Sequence, residues 1–185
     1  MSAPSPPPIV GKDFSFRVID ADQTVALRHL VLWPDAPISH VLLPEDDTGI
    51  HIGAFIPSAG NQVPVAVISL FQQPLPIDND AEAPTAEPGE AVPATPETVS
   101  STSEPHKVAV RFRKFACDPC RQGQGIGSAL LDYSATLARE KLATSVIWCD
   151  ARISTAPWYQ KRGFLPFGKT FYKSDVEYIR MKRSV

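Results

Sequence analysis

The sequence predicts a mixed α/β domain, with helices on the faces of one sheet. Three observations predict it: strand and helix patterns alternate along the chain, a glycine-rich turn joins one strand to a helix, and a later strand is continuously apolar. Hydrophobic residues make up 43% of the 185 residues, enough for a buried core. We therefore expect one domain over residues 13–185, after a Pro-rich, disordered segment over residues 1–12.

The first part of the chain predicts a strand, a helix and two further strands. Residues 14–19 alternate with a period of two, which is typical of a strand. Asp20 or Asp22 then stands where it can cap a short helix. This helix carries four apolar residues, Val25, Leu27, Leu30 and Val31. Two β-rich runs follow at 51–56 and 63–71, separated by a hairpin-like turn.

The stretch over residues 74–106 has the composition of a disordered, acidic insertion. It is rich in Pro, Ala, Glu, Thr and Ser and cannot bury enough apolar surface to offset the entropy of ordering. Residues 78–105 hold seven of the chain's 20 acids and no base, which leaves 13 acids against 18 bases elsewhere. That surplus favours a polyphosphate ligand but is too small and scattered for nucleic acid.

Two strands and a helix are predicted after the insertion. Residues 108–115 alternate apolar and basic side chains, as in an antiparallel strand with one wet face. Residues 125–142 predict a helix, because four apolar residues recur at helical spacing, Ile126, Leu130, Tyr133 and Leu137. The continuous apolar run at 145–149 predicts a central strand that is buried on both faces.

The C-terminal part predicts a short helix and a hairpin. Ser154 or Thr155 can cap the helix, and Gly163 can end it. The last two strands turn at Ser174 and Asp175. The full order is therefore β-α-β-β-β-α-β-α-β-β, with the insertion after the third strand.

Three glycines, Gly123, Gly125 and Gly127, fall between a predicted strand and the helix that follows it. Glycines let a backbone turn sharply and approach a ligand, and the free N–H groups of a helix start attract phosphate oxygens. A P-loop is excluded because no Gly-Lys-Ser or Gly-Lys-Thr is present. The segment lacks the third glycine of a Rossmann turn, because Ser128 stands at that position. Asp150 does lie where the ribose-binding acid of a Rossmann fold would fall. That interpretation and a plain structural turn stay open at this point.

Residues 122–127 resemble the Q/R-x-x-G-x-G/A motif of the GNAT (Gcn5-related) N-acetyltransferases. The lead-in at 117–121 also looks like that of the family, with a proline at Pro119. Residues 149–152 and 158–164 are similar to the family's last core strand and to the aromatic-Tyr-x-Lys-x-Gly-Phe helix beyond it. The order and spacing of the three pieces agree.

The resemblance implies a fold and an activity. The fold would be a mostly antiparallel sheet of six to seven strands, flanked by helices, with parallel pairing at two central strands that splay apart. The activity would be transfer of the acetyl group of acetyl-CoA to a primary amine by direct attack in a ternary complex, without a metal.

The resemblance also implies roles for individual residues. Tyr159 would be the general acid, since a phenol with a pKa of about 10 stays protonated at pH 7 and can protonate the leaving thiolate. The backbone of β-strand residues 115–117 would bond the pantetheine arm, the glycine segment would cradle the pyrophosphate, and Lys161 would reach the 3′-phosphate side. The implied coenzyme A-binding residues are Phe115, Ala116, Cys117, Gln122, Gly123, Gln124, Gly125, Ile126, Gly127, Ser128 and Lys161.

The sequence assigns no general base. Asp150, Glu177 and His51 are candidates, and solvent is another. The Cys117 and Cys120 pair lacks the further ligands of a zinc site, so no metal is expected.

Two alternative functions stay open: a non-catalytic acyl-CoA-binding or regulatory module, and a nucleotide-binding oxidoreductase. The odd number of cysteines, three, and the lack of a signal peptide or of a membrane-length apolar run predict a cytoplasmic protein without membrane or nucleic-acid partners. The acceptor is expected to be a small-molecule or peptide amine, and the protein a monomer or homodimer.

Overall fold

The computed structural model describes residues 14–56, 63–76 and 108–185. These residues form a seven-stranded sheet in the spatial order β1-β2-β3-β4-β5-β7-β6. The strands are β1 (Ser15–Ile19), β2 (Ile50–Phe55), β3 (Ala66–Gln72), β4 (Ala109–Cys117), β5 (Val146–Arg152), β6 (Leu165–Lys173) and β7 (Val176–Ser184). The α-helices among them are α1 (Asp22–Leu32), α2 (Ile126–Leu142) and α3 (Ala156–Gln160).

The sheet is antiparallel at every pair except one. β4 and β5 run parallel, and α2 is the crossover that parallel neighbours need. The predicted fold class is confirmed in strand number, in strand order and in the position of the parallel pair.

Helices cover both faces of the sheet, because alternate residues of a strand point to opposite sides. Ile52, Ala54 and Ile68 belong to the main core with the apolar face of α2. Phe55 and Val67, next in sequence, belong to a smaller core under α1. A strand in the middle of such a sheet is apolar on both faces. The continuous apolar run at 145–149 predicts this for β5.

The first predicted helix forms, but its cap differs from the prediction. Ala21 is the N-cap residue and no side chain caps it. Instead, the Asp20 N–H donates to the Gln23 side chain at 3.0 Å, which bends the chain into the first turn from inside the helix. Leu30 is 56% exposed and is not part of the core.

The second half of the chain follows the predicted elements closely. α2 begins at Ile126, β5 is buried at 147–149, and the last hairpin turns at Ser174 and Asp175. Thr155 is the N-cap residue of α3, without a side-chain cap bond, and the helix ends at Gln160, three residues before Gly163. The N-terminal segment 1–12, the turn at 57–61 and nearly all of the 74–106 insertion lie outside the described residues.

Candidate functional site

The two parallel strands separate along their length. β4 and β5 pair at three positions, of which Arg111 with Trp148 is the last, yet β4 continues to Cys117 and β5 to Arg152. Their outer neighbours β3 and β7 stay paired with them to those ends. The facing edges beyond Arg111 therefore carry backbone groups without a strand partner, at the centre of the sheet.

A β-bulge in β4 accompanies this separation. The register with β3 shifts between Val67, which faces Ala116, and Ser69, which faces Arg113. Lys114 lies inside the shift with a φ of 52°, in the left-handed region that non-glycine residues rarely adopt. An extra residue on one strand bends that strand and increases its twist. The bulge thus turns the end of β4 at the place where β5 departs.

The glycine segment opens one side of the gap. A cavity of about 640 Å³, here called the loop cavity, lies against it. Gly123 and Gly125 have φ values of 76° and 85°, and a Cβ added to Gly123 would meet nothing within 4 Å. The first N–H groups of α2 face no preceding helical turn and are available to a ligand. The segment has the shape and the donors to hold a phosphate-bearing ligand.

Most residues that the sequence implicates line the loop cavity. They are Phe115, Cys117, Gln122, Gly123, Gly125, Ile126, Gly127, Ser128 and Tyr159. Three others do not line it. Ala116 is buried under α1, Gln124 is exposed with its side chain bonded to the Cys120 carbonyl at 3.3 Å, and Lys161 is exposed after α3.

Arg162 is a lining residue that sequence reasoning missed. Its guanidinium donates to the Ser128 hydroxyl at 2.7 and 2.9 Å and to the Trp158 carbonyl at 2.7 Å, and it lies 3.5 Å from the centre of the Trp158 ring. These contacts fix a positive charge beside the start of α2. The sequence offers little sign of this role, because Arg162 stands at a position that the C-terminal motif does not specify and lies 34 residues from its partner Ser128.

A second cavity opens on the other side of the gap. Its volume is about 470 Å³, and we call it the basic cavity. The end of α1 forms an apolar wall through Val31, Leu32 and Trp33. Six charged residues of β4, β5 and β6 also line it: Arg111, Arg113, Lys114, Asp150, Arg152 and Lys173. Phe115, Thr155 and Tyr159 line both cavities, so the two spaces meet at these side chains.

Tyr159 bridges the separated strands from α3. Its ring packs against Phe112 of β4 at 5.9 Å between centroids and against Phe164 at 5.6 Å. Burial of the hydroxyl and its hydrogen bond with Cys149 of β5 raise the pKa of Tyr159 well above 10. The phenol therefore stays protonated at neutral pH and has a proton that it can donate.

The candidate bases are engaged elsewhere or lie outside the gap. Asp150 lines the basic cavity but forms ion pairs with both Arg111 and Lys173. His51 is buried and hydrogen-bonds with Ser69 at 2.7 Å. Glu177, on β7, lines neither cavity.

The three cysteines, Cys117, Cys120 and Cys149, are free thiols. Burial and the neighbouring Asp118 carboxylate raise the pKa of Cys117, which lowers its reactivity as a nucleophile. Within residues 14–56, 63–76 and 108–185, no cluster of three or more His, Cys, Asp or Glu side chains could hold a metal ion. In the same ranges no helix is both long and apolar enough to span a membrane.

The fold and the site define a class of protein: a mixed-sheet domain whose glycine loop has the donors for a phosphate-bearing ligand, beside two parted parallel strands. Solved structures share this fold. A putative N-acetyltransferase from Lactobacillus plantarum is 12% identical with a TM-score of 0.66, and 94% of this chain covers 99% of it. FeeM, an N-acyl amino acid synthase from uncultured soil microbes, is 15% identical with a TM-score of 0.62, and 93% of this chain covers 91% of it.

A third structure with this fold is the NatC complex bound to Gag peptide and CoA. The matched chain is 12% identical with a TM-score of 0.60, and 94% of this chain covers 99% of it. Identities this low establish the fold alone. No curated protein matches the sequence significantly.

Residues 97–185 match the acetyltransferase (GNAT) domain family. This part of the chain is therefore similar to a GNAT acetyltransferase domain, in agreement with the resemblance of the glycine segment and the C-terminal motif. The matched range contains β4, the glycine segment and Tyr159, and hence nearly all of both cavities.

Proposed function

We propose that this protein transfers the acetyl group of acetyl-CoA to a primary amine by direct attack in a ternary complex. One observation carries the proposal: Tyr159 lines both cavities, which supports a role for its side chain between a ligand held at the glycine loop and a second ligand in the basic cavity. The match of residues 97–185 to the GNAT acetyltransferase domain family supports the reaction class. The CoA in the NatC structure supports the choice of co-substrate for this fold.

The glycine segment and β4 are proposed to bind the co-substrate. Backbone N–H groups of residues 122–128 hold the pyrophosphate, so Gln124 can contribute although its side chain lies outside the loop cavity. Arg162 adds positive charge at the same place. The free edge of β4 at 115–117 hydrogen-bonds the amides of the pantetheine arm, much as an added strand would. Lys161 is proposed to reach the 3′-phosphate side.

The reaction needs three contributions from the chain. A backbone N–H of the free β4 edge donates to the carbonyl oxygen as negative charge develops on it, a contribution of about 3 kcal/mol for one donor. As the amine nitrogen forms its bond to the carbonyl carbon, the C–S bond breaks and Tyr159 gives its proton to the sulfur. The proton that the amine loses goes to solvent, because Asp150, the one carboxylate among the described residues that line the basic cavity, is already paired with two cations.

The test is CoA release from acetyl-CoA, measured over a panel of primary amines with purified protein. Amine-dependent release supports the proposal. Tight CoA binding without release with any amine would indicate the non-catalytic module instead. Thermal stabilisation by NAD and not by CoA would indicate the nucleotide-binding oxidoreductase.

A further inference from the structure

The basic cavity has an excess of positive charge. Five cationic side chains line it, from Arg111, Arg113, Lys114, Arg152 and Lys173. Among the described lining residues, one carboxylate, Asp150, stands against them. Asp150 forms ion pairs with two of the five cations and is only 9% exposed. It is therefore not free to bind an additional ammonium group.

Two of these cations lack a carboxylate partner within the described part of the chain. Arg113 pairs with Glu45, outside the cavity, whereas neither Lys114 nor Arg152 forms an ion pair there. The Lys114 ammonium donates one hydrogen bond, to the His40 carbonyl at 2.8 Å. It also lies 4.0 Å from the centre of the Trp33 ring, and because an ammonium has three donors, a further N–H stays available for a ligand.

The surroundings of Lys114 disfavour its positive charge. Burial is the largest cause that lowers the pKa of Lys114 to about 8. The nearby Arg28, Arg113 and Lys173 also lower this pKa, and Asp46 opposes them. An anion beside Lys114 would reverse this effect, because an opposite charge stabilises the protonated amine. The left-handed backbone of Lys114 at the bulge is part of what places it among the lining residues, together with Arg113 before it and Phe115 after it.

We propose that the acceptor is a small primary amine that also carries an anionic oxygen group, a carboxylate or a phosphate. Lys114 and Arg152 bind this group while the amine reaches the carbonyl carbon near Tyr159. A volume of about 470 Å³ suits a small molecule, and Val31 and Leu32 at the end of α1 offer an apolar surface to its body. Polyamines and lysine-rich peptides are disfavoured by like-charge repulsion. This inference rests on the proposed transferase function and specifies its substrate class.

Amines matched in shape but not in charge test the substrate class. Phenylalanine, phenylalaninamide and phenethylamine form one set, phosphoethanolamine and ethanolamine a second, and spermidine represents the polycations. We expect kcat/KM for the anionic member of a set to exceed that of its neutral partner about tenfold or more, the contribution of one charged hydrogen bond. The set with the larger ratio identifies carboxylate or phosphate as the preferred group.

Variants test whether the two unpaired cations are responsible. In Lys114→Gln and Arg152→Gln we expect KM for the preferred anionic amine to rise about tenfold and the ratio between anionic and neutral amines to fall. Lys114→Glu should reverse the preference towards the neutral or cationic member. Lys141→Gln and Arg139→Gln remove the same charges from exposed positions of α2 and should leave both KM and the ratio unchanged.

The outcomes separate this inference from the proposed function. Amine-dependent CoA release with equal kcat/KM for anionic and neutral amines overturns the inference and leaves the transferase standing. A preference for anionic amines that persists in both cavity variants, as it does in the α2 controls, also overturns it. If no amine, whatever its charge, causes CoA release, both the inference and the proposed transferase function are overturned. A charge preference that disappears in the cavity variants alone supports both.

Discussion

Replacing Tyr159 with phenylalanine tests the proposed acid directly, because it removes one oxygen and keeps the ring. The ring contacts with Phe112, Trp158 and Phe164, at 5.0 to 5.9 Å between centroids, do not involve the hydroxyl. The hydrogen bond with Cys149 is lost. A hydrogen bond of this kind contributes about 1 kcal/mol to the free energy of unfolding, so the variant should stay folded.

The expected effect on catalysis is much larger than the effect on stability. General acid catalysis by a positioned side chain contributes about 10²- to 10⁴-fold, so kcat should fall at least about 100-fold, or about 2.7 kcal/mol in activation free energy. Binding of acetyl-CoA should not change, because the glycine segment is untouched. Because burial raises the pKa of Tyr159 well above 10, the wild-type acid stays protonated and its rate should not decline from loss of this proton below pH 10.

The assay is single-turnover CoA release at saturating amine, so that the chemical step is observed. Tyr133→Phe is the matched control: Tyr133 is also a buried tyrosine whose pKa is raised by burial, but it packs against Phe16 in the main core. It should lose similar stability and no activity. Equal single-turnover rates in the two variants would refute the assignment of Tyr159 as the acid.

Three further predictions follow from the structure. Gly123→Ala should weaken CoA binding, measured by calorimetry, about tenfold, because the added methyl group enters the open loop cavity and the backbone φ is 76°. Gly163→Ala is the control: its φ is 78° but it lies outside that cavity, so this variant should lose only about 1 kcal/mol in the free energy of unfolding. Asp46→Asn removes the carboxylate partner of the fully buried Arg28 and should lower the free energy of unfolding, measured with urea, by about 3–5 kcal/mol. A decrease below about 1 kcal/mol would contradict this account of the ion pair. Burial raises the pKa of Asp46, but its hydrogen bonds outweigh this effect and hold the pKa below its usual value. The stability of the wild type should therefore fall as the pH drops below about 4 and through that lowered pKa. The Asn variant should lack this contribution to the pH dependence. Binding of hydrocinnamic acid, a carboxylate without an amine, to the wild type should weaken above pH 8 as Lys114 loses its proton. The Lys114→Gln variant should bind this acid weakly at every pH. Equal pH profiles of binding for the wild type and the variant would contradict the role of Lys114.

The fold was predictable because its signals are local. Each strand and helix has its own periodicity, and the glycine segment holds its donors within seven consecutive residues. The cap of α1 was not predictable from Asp20 and Asp22, because the side-chain hydrogen bond at this end runs the other way: the Asp20 N–H donates to the Gln23 side chain. Leu30 fits the helical pattern, but in the structure its side chain is exposed.

The electrostatics of the site were not predictable, because they depend on residues that are distant in sequence. Arg162 meets Ser128 across 34 positions, and Asp150 meets Arg111 across 39. The bulge at Lys114 has no glycine to mark it. The alternating pattern over 108–115 predicts Arg111 and Arg113 on one face, but only the irregular register adds Lys114 to the same cavity.

A buried polar network explains how the bulge can be maintained. Arg28, fully buried on α1, donates to the Val41 carbonyl at 3.2 Å and to both oxygens of Asp46 at 2.8 and 3.0 Å. These bonds fix the connection between α1 and β2, whose His40 carbonyl accepts from Lys114. A left-handed residue without glycine costs about 1–2 kcal/mol and needs such compensation. The network therefore supports the bulge that carries Lys114. Burial is the largest cause of the lowered pKa of Lys114, and the Arg28 charge of the network adds to it, which couples the stability of this region to the proposed preference for an anion.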